Sequence, residues 1–534
     1  MRYAPAGRWR GRSSASPAPV WLVGTGAAVA LLGLLPVGYL IVLALGGGES
    51  AAALVIRERT LGVLGRTLLL ATTVTVISVV LGVPLAWLTT RSNLPGRRLW
   101  TILLILPLVI PSYVGGYAVV AAFGPRGALP SLLEPLGVDR LPELYGFPGA
   151  VLALTLFSFP YVVLNVRGAL LGLDPAYEEV SRSLGRGPWR TFVSVTLPQV
   201  RPAIAAGGLL VALYSLADFG AVSLLQFDSF TRAIYVQYRA SFDPTLAAVL
   251  ALMLVACTGG VLIAESRLRG RARLQRATGA PRRPMRTVEL GPWRWPAVAF
   301  CAVVVGLAVG LPMATIGFWL VRAITSGEPL GFVLDATVNS VLASGLAALL
   351  VVAASIPVAL LAVRHRGLLS AAIERATYAG FALPGIVIGL AFVFVAARYL
   401  PIVYQSLPLL LVAYLVRFAP EAVGIARASL SQVSPRLEEA ARTLGRRPAA
   451  VLRDVTLPIV RPGLGAAAAL VVLTAMKELP TTVLLAPTGF DTLALRIWSA
   501  TSEGFFARAA APALLMVLVA AVSLGVVLRH ESSR

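Results

Sequence analysis

Two stretches decide how this chain is read: Asp174-Pro-Ala-Tyr-Glu-Glu-Val-Ser-Arg-Ser-Leu-Gly-Arg-Gly-Pro188 and Ser434-Pro-Arg-Leu-Glu-Glu-Ala-Ala-Arg-Thr-Leu-Gly-Arg-Arg-Pro448. At an offset of 260 the match runs without a gap from Pro160 to Pro202 and from Pro420 to Pro462, with 19 of 43 positions identical. Upstream the offset becomes 273, pairing Pro84 with Pro357, Pro111 with Pro384 and Gly116 with Gly389. The 13-residue difference fits a loop near 124 to 147 that is longer in the first copy. The chain is therefore one domain duplicated and fused, an arrangement common in transporters.

What surrounds these stretches is membrane sequence. Of 534 residues, 57% are hydrophobic and 13% charged, against about a quarter charged in a soluble domain. Apolar runs near 20 to 45, 65 to 90, 100 to 123, 148 to 171, 203 to 225 and 245 to 264 are each long enough to cross a bilayer. A second set follows near 296 to 321, 337 to 363, 372 to 397, 408 to 428, 463 to 486 and 509 to 528. The expected fold is an all-α polytopic membrane protein, twelve transmembrane helices in two homologous six-helix halves. With the N-terminus inside, the inside segments hold 31 of the 46 Lys and Arg and the outside loops 10. That bias predicts a multi-pass protein of the cytoplasmic (inner) membrane with both termini cytoplasmic. The net charge of +22 is then mainly a topology signal, whose partners are anionic membrane lipids rather than nucleic acid.

The expected plan is a basic tail at 1–19, a first half at 20–264 and a cytoplasmic linker at 265–294, then a second half at 295–528 and a tail at 529–534. The apolar run from Val20 to Leu45 exceeds the core of a cleavable signal and reads as a retained anchor. The linker is rich in arginine and broken by Gly279, Pro281, Pro284 and Pro292, as a flexible connection requires.

The duplicated loops, 174–202 and 434–462, both follow the fourth crossing of their half on the cytoplasmic side. Asp174 and Ser434 are helix-capping types, and Pro175 and Pro435 suit the first helical position. Glu178, Glu179, Glu438 and Glu439 then sit near the positive end of the helix dipole. Gly185 and Gly445 fit a left-handed stop, after which Pro188 and Pro448 start a second short helix running toward Leu197-Pro198 and Leu457-Pro458. The expectation is a helix-turn-helix elbow on the cytoplasmic face. A mere connection needs neither this length nor such retention in two diverging copies.

The segments Glu179-Val-Ser-Arg-Ser-Leu-Gly and Glu439-Ala-Ala-Arg-Thr-Leu-Gly, each followed by Leu-Pro, resemble the EAA motif of permease subunits of binding-protein-dependent ABC importers. The first departs at Val180 and Ser181, where the motif has alanines. Met476-Lys-Glu-Leu-Pro-Thr-Thr-Val-Leu-Leu-Ala-Pro and Gly489-Phe-Asp-Thr-Leu-Ala are similar to the fused ferric iron permeases, a likeness spanning most of the chain from about residue 60. The resemblance implies a type I ABC importer permease fold. It also implies two copies of a cytoplasmic ABC ATPase gripping the elbows and a periplasmic or lipid-anchored binding protein delivering the substrate. Glu178, Glu179, Arg182 and Gly185, with Glu438, Glu439, Arg442 and Gly445, become the ATPase-coupling residues, Glu179 and Glu439 bonding to the ATPase.

A nucleotide-binding P-loop needs a lysine after its glycines, and the single lysine, Lys477, follows Met476. ATP and magnesium are therefore expected on the partner ATPase, with no cofactor, stable metal or catalytic residue on this chain. Cys257 and Cys301 lie in apolar runs, and His365 and His530 in polar segments, so neither pair forms a metal-ligand pattern. Asp218, Lys477 and Glu478 are the charges that stand out within crossings, the two acids being equivalent at offset 260. In 463–486, nine Leu and Val contribute about 4 kcal/mol toward insertion, against about 6 kcal/mol for burying Lys477 and Glu478. That segment must face other helices or a wet cavity. The expectation is that Asp218 and Glu478 face each other between the halves, giving a hard trivalent cation a weak stop or acting as a gate. The alternative is a local Lys477 to Glu478 neutralisation that supports packing. Arg167, Arg417 and Arg427 are expected to snorkel at cytoplasmic ends.

The reading is a permease moving ferric iron by alternating access; thiamine, phosphonate and polyamine remain alternatives within the class. A gradient-driven secondary transporter has no use for paired elbows, and a membrane enzyme lacks clustered catalytic side chains.

Overall fold

The structure, a computed structural model, describes residues 18–125, 127–136, 144–240, 244–270, 287–328, 331–365 and 367–532. Gly279 and most of the polar linker, like most of the N-terminal basic tail, lie outside the described residues. Every described element is a helix, apart from one isolated parallel bridge between Ser92 and Val288.

Nine described helices are long and apolar enough to cross a membrane. They are Val20–Gly46, Glu58–Arg91, Phe147–Leu171, Trp189–Ala217, Pro244–Ala264, Gly291–Thr325, Val333–Arg364, Leu407–Ser431 and Ala449–Met476. The crossings expected at 100–123 and 372–397 are not straight. Arg97–Val109 meets Ser112–Ser131 at 94°, and Leu368–Ala382 meets Gly385–Tyr399 at 106°. Pro111 and Pro384 cap the second helix of each pair in extended backbone, and proline's preference for such a position sets the corner. Counting each bent pair as one span gives 11. The run expected at 509–528 lies in the helix Phe506–Ser532, whose described apolar part, Phe506–Val522, is shorter than a full crossing.

The crossings expected to reach 225 and 486 stop early, at Ala217 and Met476, and short helices Gly220–Leu224 and Pro480–Leu485 follow. The elbows also differ from expectation. The second elbow helix does not end at Leu197-Pro198 or Leu457-Pro458; it runs straight into the next span through one π turn, Phe192–Thr196 or Leu452–Thr456. The widened turn opens the hydrogen-bond ladder where proline lacks its donor and its ring crowds the preceding turn.

In the first half Glu58–Arg91 packs on Phe147–Leu171 and Leu197–Ala217; in the second Gly331–Arg364 packs likewise on Leu407–Ser431 and Leu457–Met476. The opening helix of each half leans on the other: Val20–Gly46 lies against Leu368–Ala379, and Leu311–Thr325 against Ser112–Phe123. Side chains fasten this exchange. Trp319 Nε1 donates to the Ala121 carbonyl at 3.0 Å, the Tyr117 hydroxyl to the Phe506 carbonyl at 3.0 Å, and Thr258 Oγ1 to the Ala382 carbonyl at 2.8 Å. Gly116 and Gly389 are glycines because the short helices pass so close: a Cβ would come within 3.1 Å of Ala221 Cα and 2.9 Å of Leu484.

Candidate functional site

Each elbow begins with a nine-residue helix, Pro175–Ser183 or Pro435–Thr443. Asp174 Oδ1 accepts from the Ala176 amide at 3.0 Å, whereas the Ser434 side chain makes no capping bond. Gly185 and Gly445 take φ of +78° and +81°, the left-handed region that ends such helices with least strain. The departure from the motif in the first elbow has a local reason. Ser181 is buried and its hydroxyl meets that of Thr191 at 3.1 Å, where the second elbow has Ala441 and Val451.

The paired glutamates divide into two kinds. Glu179 and Glu439 are exposed, as are Arg182, Arg442 and a fringe of apolar side chains including Tyr177, Val180, Leu184, Leu437 and Leu444. Glu178 and Glu438 point inward. Glu178 pairs with Arg91, the last residue of Glu58–Arg91, and accepts from Thr196 Oγ1 at 2.8 Å. Glu438 pairs at 3.0 Å with Arg364, the last residue of Gly331–Arg364, and accepts from Thr456 Oγ1 at 3.0 Å. Arg364 also donates to the Val433 carbonyl at 3.0 Å. Arg182 is a weaker partner of Glu178, at 3.4 Å. Removing one member of a buried ion pair costs about 3–5 kcal/mol; an isolated nine-residue helix has little stability of its own. The elbows are therefore held to the spans chiefly from this inner side. Sequence reading missed Arg91 and Arg364, although they are paired by the same offset of 273 as the prolines.

The second group of charges lies where the spans break. Asp218 Oδ1 accepts from the amides of Ala221 and Val222 at 3.0 and 3.2 Å, with the Ser112 side chain alongside. Glu478 Oε1 accepts from the Thr481 amide at 3.2 Å and its hydroxyl at 2.7 Å. Both acids are buried, and each satisfies the open amides of the short helix that follows. In hydrocarbon an unsatisfied amide is expensive, which is a physical reason for an acid at each break. Among the described residues no hydrogen bond or ion pair joins Asp218 to Glu478, and each is engaged within its own half. Local neutralisation of Lys477 by Glu478 is not the observed pairing either. Lys477 Nζ donates across the halves to the Leu108 carbonyl at 3.0 Å, and the partner of Glu478 is Arg417, at 3.8 Å. Arg417 does not snorkel, because it also donates to the Leu383 carbonyl at 2.7 Å. Arg167 reaches the Thr89 carbonyl and Thr101 hydroxyl, both at 3.3 Å, and Arg427 pairs with Glu374.

Glu421, one turn from Arg417, was not singled out in the sequence. It lies within electrostatic reach of Arg417 and Lys477, and Thr474 Oγ1 stands 3.4 Å away. Its signal was a carboxylate inside the apolar run 408–428. The first half has Phe157, Tyr161 and Ala217 where the second has Arg417, Glu421 and Lys477. The polar cluster is thus one-sided.

At the ends of the spans remote from the elbows, a cavity of about 620 Å³ opens between the halves, lined by Tyr235, Arg239, Val483, Trp498, Ser502 and Glu503 among others. Beneath it Phe219 is buried, its ring 5.0 Å from both Tyr235 and Trp498. These three rings, two from one half and one from the other, pack together beside the cavity, and Phe219 directly follows Asp218 in the chain. Among the described residues no three His, Cys, Asp or Glu side chains form a metal-holding group.

Paired elbows on a duplicated helical bundle define a transport permease driven from outside its own chain. The chain belongs to the family of binding-protein-dependent transport system inner membrane components, whose model matches residues 78–268 and 352–532. It is 35% identical over 512 residues to the Fe(3+)-transport system permease protein FbpB 2 of Haemophilus influenzae, covering 94% of this chain and 97% of that one. Over shorter stretches it is similar to the molybdenum transport system permease protein ModB of Escherichia coli, 40% over 141 residues covering 26% of this chain and 60% of that protein. It is also similar to the sulfate transport system permease protein CysT of Escherichia coli, 31% over 211 residues covering 38% and 75%. The chain is a multi-span, non-catalytic permease component of an ABC importer in the inner membrane, a class that works with a separate ATPase and a substrate-binding protein.

Proposed function

We propose that this permease carries ferric iron. The observation that carries the reading is its likeness across both halves, over nearly its whole length, to a permease named for Fe(3+). The molybdenum and sulfate permeases match only part of the chain.

In this reading the chain crosses the membrane twelve times, the two bent pairs and the helix from Phe506 being crossings. Both termini are cytoplasmic, with boundaries at 20–264 and 295–528 around the linker 265–294. Each elbow grips one of two ATPase copies through its exposed face, including Glu179 and Glu439. The binding protein, periplasmic or lipid-anchored, releases iron into the cavity over Phe219. Asp218, Lys477 and Glu478 act in gating: they hold the broken helices and tie the halves, so alternation between open forms must rearrange them. The buried polar cluster supports that role.

The test is reconstitution of the permease with its ATPase and binding protein in vesicles. Ferric-loaded binding protein is expected to stimulate ATP hydrolysis and uptake of radioactive iron. Stimulation by molybdate or sulfate with none by iron overturns the reading.

A further inference from the structure

We infer that Arg91 and Arg364 are positioning residues that convert movement of an elbow into movement of the membrane helices. The inference rests on the reading that the elbows grip the ATPase.

The geometry makes each inner glutamate a node of three elements. Glu178 joins the first elbow helix to the end of Glu58–Arg91 through Arg91, and to the start of the following span through Thr196. Glu438 joins the same three elements in the second half through Arg364 and Thr456. Arg91 is only 4% exposed, and both acids are largely shielded from solvent. A shielded charge pair resists slipping far better than a solvated one. A push on the outer face, where Glu179 and Glu439 stand exposed, is therefore delivered to two spans together.

The node recurs at equivalent positions of copies that differ at most of their residues, so a single crowded loop does not explain it. In the first half it carries one attachment more. The Arg91 carbonyl accepts from the Val288 amide at 2.7 Å, and the Asn93 amide donates to the Val288 carbonyl at 3.1 Å. Displacement of Arg91 therefore pulls on the segment that opens the second half.

The experiment uses the full complex of permease, ATPase and binding protein in vesicles. The variants are Arg91→Met with Arg364→Met, and the two charge swaps Arg91→Glu with Glu178→Arg and Arg364→Glu with Glu438→Arg. In the double methionine variant we expect the ATPase to remain bound, uptake to fall at least about tenfold, and ATP hydrolysis to lose its stimulation by the binding protein. Each swap should recover much of the coupling lost in its reversed-arginine single variant, a rescue that loss of packing alone does not give. Wild-type uptake in the methionine variant, or loss of the ATPase from it, overturns the inference. Should that variant fail to fold, Thr196→Val with Thr456→Val keeps both charges and removes one bond at each node. About a two- to fivefold loss of coupling is then expected, and unchanged coupling overturns the inference. Failure of the unmodified permease to hold the ATPase through its elbows is a different result, and strikes the reading beneath it.

Discussion

Lys477 of the second half places its ammonium group on the Leu108 carbonyl of the first, at 3.0 Å, three residues before the Pro111 corner. The only lysine of the chain is thus a bolt between halves, with Glu421 as its nearby countercharge.

Lys477→Met leaves that carbonyl without its donor and Glu421 without its countercharge. An unsatisfied buried polar group costs about 1–3 kcal/mol, so the purified permease should unfold several degrees lower in detergent. Lys477→Gln, which keeps a donor, should recover part of the loss. An unchanged melting temperature in Lys477→Met removes the bolt from the account.

Charge reversal at the outer and inner glutamates should separate two functions. Glu179→Lys with Glu439→Lys is expected to reduce ATPase recovered by pull-down at least about tenfold, with the permease folded at normal yield. Glu178→Lys faces Arg91 and Glu438→Lys faces Arg364, so these should lower stability by about 3 kcal/mol or more. Full ATPase recovery by the outer variant would count against docking through these glutamates.

Gly385 marks a position with no room for a side chain, because a Cβ there would lie 2.2 Å from Glu478 Oε1. Gly385→Ala must expel the carboxylate from the Thr481 amide it caps. Loss of such a cap costs about 1–2 kcal/mol. Uptake should fall sharply while ATPase binding persists, and adding Glu478→Ala should relieve part of the defect. No relief from the second substitution would mean that the clash is not the cause.

Trp498→Ala removes a ring that lines the cavity and packs on Phe219, and tests whether these rings act as a barrier. The expected outcome is ATP hydrolysis that continues without the binding protein, together with reduced uptake. Uptake and stimulation at wild-type levels would show that the three rings are not a barrier.

The topology can be checked by labelling cysteine variants in intact cells, after replacing Cys257 and Cys301. Gly279→Cys should resist an impermeant reagent and Leu132→Cys should react. The reverse pattern inverts the orientation.

The elbows were legible because capping residues, prolines and left-handed glycines act within a few positions of sequence, and the duplication doubled each signal. The spans were legible as apolar runs, but hydropathy does not see a corner. Pro111 and Pro384 were matched as a pair, yet whether a proline bends a helix or begins a new one depends on what packs beside it. Asp218 and Glu478 stood out as charges, while their work as caps was hidden because the break after Ala217 and Met476 is a tertiary choice. Arg91 and Arg364 looked like ordinary basic helix ends, since sequence does not show which carboxylate an arginine meets.

The one-sided placement of Arg417, Glu421 and Lys477 bears on why one gene product carries both halves. Two second halves assembled alone would place two copies of this cluster, four cations with their carboxylates, around one axis; two first halves would place none. Covalent fusion excludes both misassemblies and supplies the halves in equal number. Every chain then carries one copy of the cluster, held in one half, while the elbow nodes stay matched in both.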